Sequence, residues 1–142
     1  MEIREIMTQS VEMVSPTVSL QEAAQKMKAL DIGLIPVCDG AKLKGMLTDR
    51  DITVRATAEG LNPKKTKVAE VMTTDVAYCF EDQDVEEAAG LMEAKQIRRM
   101  PILDRNKRLV GIISLGDLAI HTHTNDLAAQ ALKEISHPDP KR

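Results

Sequence analysis

The sequence predicts an α/β (α+β) fold of two β-α-β-β-α repeats, packed sheet to sheet with pseudo-twofold symmetry. Three observations carry that prediction. The chain matches itself at an offset of 65 residues, where "IREIMTQSV" falls on "VAEVMTTDV" and "SLQEAAQKMKALDIGLIPVCD" on "DVEEAAGLMEAKQIRRMPILD". Each half holds one stretch with the apolar period of a helix. Each half then holds two short apolar runs around a polar turn, the pattern of a β-hairpin.

The elements follow in order. Ser19 with Glu22, and Asp84 with Glu87, read as helix N-caps with a reciprocal acid three residues on. Behind them Leu20, Ala23, Ala24, Met27 and Leu30 form one buried helix face, and Val85, Ala88, Ala89 and Met92 form the other. "GLIPVCD" and "RMPILD" are the first hairpin strands, and "GAK" and "RNK" the turns. One extra residue in the second turn moves the offset to 66, so that "LKGMLTDRDI" falls on "LVGIISLGDL". A second helix then starts at Thr48 or Ser114, spanning about residues 49–59 in the first half with Gly60 as its C-cap. The expected organisation is residues 1–60, a linker at 61–67, residues 68–123, and a C-terminal helix and tail at 124–142. The linker lysines read as a solvated connection rather than a binding patch. In the C-terminal helix Leu127, Ala131 and Leu132 are the apolar positions, suited to covering a module edge or a dimer seam, and "HPDPKR" reads as a disordered tail.

Composition narrows the function. The 142 residues are 43% hydrophobic and 29% charged, enough for a packed interior, but with one Tyr, one Phe and no Trp the core must be aliphatic. A net charge of -3 argues against a nucleic-acid partner. No apolar run approaches a membrane span and "MEIREIMTQS" has no secretory pattern, so the expected location is cytoplasmic. In a reducing cytosol Cys38 and Cys79 read as small core residues rather than a disulfide. "HTHT" (His121 onward) reads as a solvated helix end, since residues two apart on a helix point to nearly opposite sides and no acid cluster accompanies them. No catalytic set and no metal site is expected, because the three histidines fall at the C-terminal end, both cysteines read as buried, and the acids lie mostly on helix surfaces.

The motif that occurs twice is Gly45, Thr48, Asp51 and Gly111, Ser114, Asp117. Alone, Thr-x-x-Asp is a capping box. The repeat pattern, "IGLIPVCD" and "IRRMPILD", and the endings "GMLTDRDI" and "GIISLGDL" together resemble a tandem pair of CBS (cystathionine β-synthase) domains, the Bateman module, over residues 1 to about 123. The chain is similar to stand-alone bacterial CBS pairs. That resemblance implies a non-catalytic regulatory module that takes an adenosine-type nucleotide (AMP, ADP, ATP or NAD) as regulatory ligand and needs no cofactor for chemistry. It implies ribose recognition by Asp51 and Asp117, and phosphate near Thr48 and Ser114, whose hydroxyls sit at helix starts that favour anions. The glycines would let backbone approach the ligand, and backbone at Ile35, Pro36 and Val37, or at Met100, Pro101 and Ile102, would read the adenine edge. Arg98 and Arg99 would reach phosphate in the second half, the alternative being ordinary surface ion pairs. The first half has Gly33 and Leu34 there and would borrow charge from Arg50, Lys44 or the other half. A homodimer is implied, with a downstream protein partner that the sequence does not identify. The competing expectation is a structural homodimer scaffold whose sites are degenerate or empty.

Overall fold

A computed structural model describes residues 1–121 and 125–137, so that residues 122–124 of "HTHT" and most of "HPDPKR" lie outside the described residues. The elements are α1 (Leu20–Leu30), β1 (Leu34–Asp39), β2 (Lys42–Thr48), α2 (Asp49–Asp51), β3 (Cys79–Phe80), α3 (Val85–Lys95), β4 (Arg99–Leu103), β5 (Leu109–Ser114), α4 (Leu115–His121) and α5 (Asn125–Ser136). The mixed α and β repeats expected from the pattern are present.

The chain divides into two compact units, Glu12–Val76 and Met1–Val11 with Ala77 onward. We call them the first-repeat and second-repeat units. The division does not fall at the sequence boundaries of residues 60 and 68. The segment that leads each repeat packs in the unit of the other, for a hydrogen-bonding reason. Thr8 exchanges backbone bonds with Ile112 on β5 (2.9 and 3.0 Å), and Thr73 does the same with Met46 on β2 (2.8 and 2.9 Å). Each segment thereby satisfies a strand edge that would otherwise lack partners.

In the first-repeat unit β1 and β2 form an antiparallel hairpin pairing Leu34 with Thr48 and Val37 with Gly45. The expected leading strand shrinks to one residue, Val14, whose N–H donates to the Pro36 carbonyl at 3.0 Å. In the second-repeat unit that strand is β3, parallel to β4, which pairs antiparallel with β5. Four consecutive β1 residues, Ile35, Pro36, Val37 and Cys38, are buried, the mark of a strand covered on both faces.

Both long helices are capped from the predicted positions. Ser19 Oγ accepts the Glu22 N–H at 3.1 Å, and Asp84 Oδ1 accepts the Glu86 N–H at 2.9 Å. The expected reciprocal bond from Glu87 does not form, because its carboxylate accepts from the Gln83 amide instead. On α1 Leu20, Ala23 and Met27 are buried, whereas Leu30 is 41% exposed and Ala24 half-buried. On α3 all four expected positions, Val85, Ala88, Ala89 and Met92, are buried. The second helix of the first repeat is not α throughout. After Asp51 it continues as a π-helix, Ile52–Thr57, with the Ala58 N–H bonded five residues back to the Thr53 carbonyl at 2.9 Å. Gly60, at φ +72°, ends the turn as predicted.

α5 packs on α3 and α4 through Ala128, Ala131 and Ile135, in one cluster with Met92 and Leu118. The sequence placed Leu132 on that face, but it is 44% exposed. A face of Ala, Ala and Ile at i, i+3 and i+7 lets α5 approach closely, and Leu132 falls outside that stripe. Gly90 on α3 offers a direct test of helix energetics. Nothing lies within 4 Å of where its Cβ would stand. Gly90→Ala is therefore expected to stabilise the protein by about 0.5–1 kcal/mol in denaturant melts. A destabilised variant would mean that position is covered.

Candidate nucleotide site

The two motif copies fold as reciprocal caps. In the first-repeat unit Thr48 Oγ1 accepts the Asp51 N–H and Asp51 Oδ2 accepts the Thr48 N–H, each at 3.0 Å. The Asp51 carboxylate has further partners. The Thr73 hydroxyl lies 3.3 and 3.4 Å from its two oxygens, and Arg55 Nε lies 3.9 Å from Oδ1. The Arg55 guanidinium also donates to the Val71 and Met72 carbonyls, both at 3.2 Å. At 9% exposure Asp51 is a buried carboxylate whose donors come from its own chain.

The second copy is more open. Ser114 Oγ accepts the Asp117 N–H at 3.1 Å and Asp117 Oδ2 accepts the Ser114 N–H at 2.8 Å. Asp117 is half-buried, and its Oδ1 has no hydrogen-bond partner among the described residues. That oxygen can accept from a ligand hydroxyl without breaking the cap.

Strand register then separates the two arginines. Arg99 stands directly opposite Ser114 in the β4–β5 ladder, so both side chains share one face of the sheet. Arg98 precedes it and alternates to the other face, its carbonyl accepting the Leu115 N–H at 2.9 Å. Both are exposed, and among the described residues neither forms an ion pair. In the first-repeat unit the residue opposite Thr48 is Leu34. A Cβ on Gly33 would stand 2.8 Å from Oδ2 of the exposed Asp49 side chain, which can turn aside. Arg50 is exposed beside Asp51.

The glycines have a different occupant from the one expected. A Cβ on Gly45 would stand 2.6 Å from the Thr73 carbonyl oxygen and 2.9 Å from Met72 Sδ. On Gly111 it would stand 2.6 Å from Met7 Sδ and 2.9 Å from the Thr8 carbonyl oxygen. The space over each glycine is thus filled by the chain's own leading segment. The strand residues are likewise inward: Ile35, Val37, Met100 and Ile102 are 0% exposed, and Pro36 and Pro101 are buried. The Pro36 carbonyl already accepts the Val14 N–H. Contact there falls to main-chain groups, as the side chains belong to the core.

Sequence reasoning missed Thr73, the second hydroxyl on Asp51, together with its repeat counterpart Thr8. The signal was present as the identical "MT" pairs at 7–8 and 72–73, in segments whose spatial partners the sequence does not reveal.

Cys38 and Cys79 are buried free thiols, each 3% exposed. Burial pushes both up to about 11, for Cys79 with help from the nearby Glu87 charge. The folded pKa lies above the unfolded value, so this contribution to stability is full below about pH 9 and is lost as pH rises towards 11, by on the order of 3 kcal/mol per thiol. A Cys38→Ala/Cys79→Ala variant should therefore show a flatter alkaline decline in chemical melts. An unchanged decline would assign the loss to other groups. Among the described residues no three His, Cys, Asp or Glu side chains are grouped to hold a metal, and no helix is long and apolar enough to cross a membrane.

Comparison with known proteins agrees with this architecture. The CBS domain family profile matches residues 3–56 and 68–123. The chain is 47% identical over 135 residues to the CBS domain-containing protein YhcV of Bacillus subtilis, covering 95% of each. It is 37% identical over 136 residues to Hypoxic response protein 1 of Mycobacterium tuberculosis, covering 95% of this chain and 94% of that one. The crystal structure of Hypoxic Response Protein I with two coordinated zinc ions superposes with a TM-score of 0.79 at 37% identity, over 86% of this chain and 99% of that chain. The chain belongs to the CBS domain family, as a tandem pair of CBS domains.

Proposed function

We propose that this CBS pair is a non-catalytic sensor module that binds an adenosine-type nucleotide (AMP, ADP, ATP or NAD), with its tighter site in the second-repeat unit. The observation that carries the reading is the open Oδ1 of Asp117, beside a cap that fixes the carboxylate and an unpaired Arg99 across from Ser114. A capped carboxylate with a spare oxygen suits a vicinal diol, and a forked guanidinium suits a phosphate. The adenine preference comes from the family resemblance, and buried strand side chains leave the purine to main-chain groups. The first-repeat site is the weaker, since Asp51 is satisfied by Thr73 and its own cap and Leu34 supplies no charge. The active assembly in this reading is a homodimer that passes the ligand signal to a separate protein.

A thermal-shift panel of AMP, ADP, ATP, NAD, NADH, S-adenosylmethionine and GTP tests the reading. A ligand at about 100 times its dissociation constant should stabilise the fold by roughly 2.7 kcal/mol. No shift with any adenosine compound at millimolar concentration would favour the alternative, a homodimeric scaffold with empty sites. Arg99→Ala should lose affinity for the phosphorylated ligands and spare adenosine, and added salt should weaken wild-type binding in the same sense. Equal losses for ADP and adenosine would remove Arg99 from the phosphate role.

A further inference from the structure

Three equivalent positions close around a carboxylate in one repeat and stand open in the other. In the first-repeat unit they are Asp51, Arg55 and Thr73. The Thr73 hydroxyl lies 3.3 and 3.4 Å from the two carboxylate oxygens of Asp51, and Arg55 Nε lies 3.9 Å from Oδ1. Arg55 Nη1 also donates to the Val71 and Met72 carbonyls, both at 3.2 Å. One guanidinium thus ties the carboxylate to the segment that carries Thr73. Arg55 stands in the π-helical segment, a widening that α4 does not share.

At the repeat offsets the second-repeat unit has Asp117, His121 and Thr8. The backbone frame is the same, since Thr8 exchanges two bonds with Ile112 as Thr73 does with Met46. The side-chain ties are missing. Among the described residues the Thr8 hydroxyl and the His121 ring make no hydrogen bond or ion pair. The Ile6 and Met7 carbonyls, counterparts of those on Val71 and Met72, accept none either. Thr8 and His121 are exposed and Asp117 is half-buried, against 9% exposure for Asp51. The exchange of Arg for His explains this. An imidazole is shorter than an arginine side chain and has at most two donors, on opposite sides of its ring, so it cannot bridge a carboxylate and two carbonyls. Arg50, the other cation beside Asp51, is exposed and forms no ion pair among the described residues. The donors that Thr73 and Arg55 present to Asp51 are of the kind a ribose diol presents. A ligand must displace them, and its apparent affinity falls with the fraction of molecules left closed.

We propose that Arg55 and Thr73 form a latch that occupies Asp51 in place of a ligand, and that the residue at positions 55 and 121 decides which repeat's site stands open. The ligand in this inference rests on the nucleotide reading, whereas the latch rests on the chain's own contacts.

The test titrates ADP into the full-length chain carrying Asp117→Ala, whose remaining site is that of the first repeat. Adding Arg55→His should tighten this site about tenfold, and adding Thr73→Val should act in the same direction. Arg55 is exposed, so its replacement leaves the core intact. Without the Asp117 change, Arg55→His should add a second binding event to the isotherm. His121→Arg should weaken the second-repeat site by a similar factor. Amide hydrogen exchange reads the latch with no ligand present: Arg55→His should speed exchange of the Thr73 N–H about tenfold while the Thr8 N–H keeps its rate. Weaker ADP binding by the Arg55→His chains would overturn the proposal, for the guanidinium would then be a phosphate contact. An unchanged Thr73 rate would overturn it with or without nucleotide. ADP binding to none of the chains, with Thr73 exchanging faster in Arg55→His, would remove the nucleotide reading and uphold the latch.

Discussion

Gly45→Ala is expected to destabilise the protein by on the order of 3 kcal/mol, a drop of roughly 10 °C in melting temperature. The added methyl would stand 2.6 Å from the Thr73 carbonyl oxygen, a main-chain atom that is itself bonded to the Met46 N–H at 2.9 Å. Neither partner can swing aside, so the segment must leave β2 and surrender both ladder bonds. It would also draw Thr73 away from Asp51, which is buried and depends on that hydroxyl. Gly40→Ala is the comparison. Its position is open, but at φ +62° a side chain costs about 1 kcal/mol through backbone strain alone. Equal melting temperatures for Gly45→Ala and the wild type would show that residues 72–73 do not lie against β2.

Asp117→Ala carries the largest expected effect on binding: a loss of about 3 kcal/mol, more than hundredfold, in affinity for adenosine phosphates. Two hydroxyl donors would lose a charged acceptor that is held in place by the Ser114 N–H at 2.8 Å. The exposed acid Asp39 serves as control, and Asp39→Ala should leave the titration unchanged. Asp51→Ala should have the opposite balance, a larger loss of stability and a smaller loss of affinity, because more of its donors belong to the chain. An Asp117→Ala protein that melts lower yet binds equally well would mean the motif is a helix cap alone. If the first-repeat site proves tighter for AMP, phosphate charge reaches it from a residue such as Arg50, and the division of basic residues between the repeats is mistaken.

Much of the fold could be read from the repeat. Ser19 and Asp84 cap their helices, the hairpins turn at "GAK" and "RNK", and Gly60 ends its helix in the left-handed region, because each is a local matter of side chain and backbone. What could not be read is which segment lies beside which strand. The sequence associates Met72 and Thr73 with the repeat they precede, whereas hydrogen bonding sets them on β2. The role of Gly45 was misjudged for the same reason. A glycine announces close approach, but its sequence does not say what approaches. The motif chemistry was half legible: spacing alone identifies the caps at Thr48 and Ser114, but the difference between a saturated Asp51 and an open Asp117 depends on Thr73, twenty-two residues away. Leu132 was misplaced because a short apolar stripe admits two neighbouring faces, and close packing selected the one with alanines.

Calorimetric titration of the wild-type chain with ADP, with GTP as the comparison, decides whether this CBS pair takes an adenosine nucleotide. A saturable isotherm for ADP that weakens as salt is raised is expected, with a much smaller response to GTP. Flat isotherms for both nucleotides at millimolar concentration, or equal affinities for the two, would contradict it.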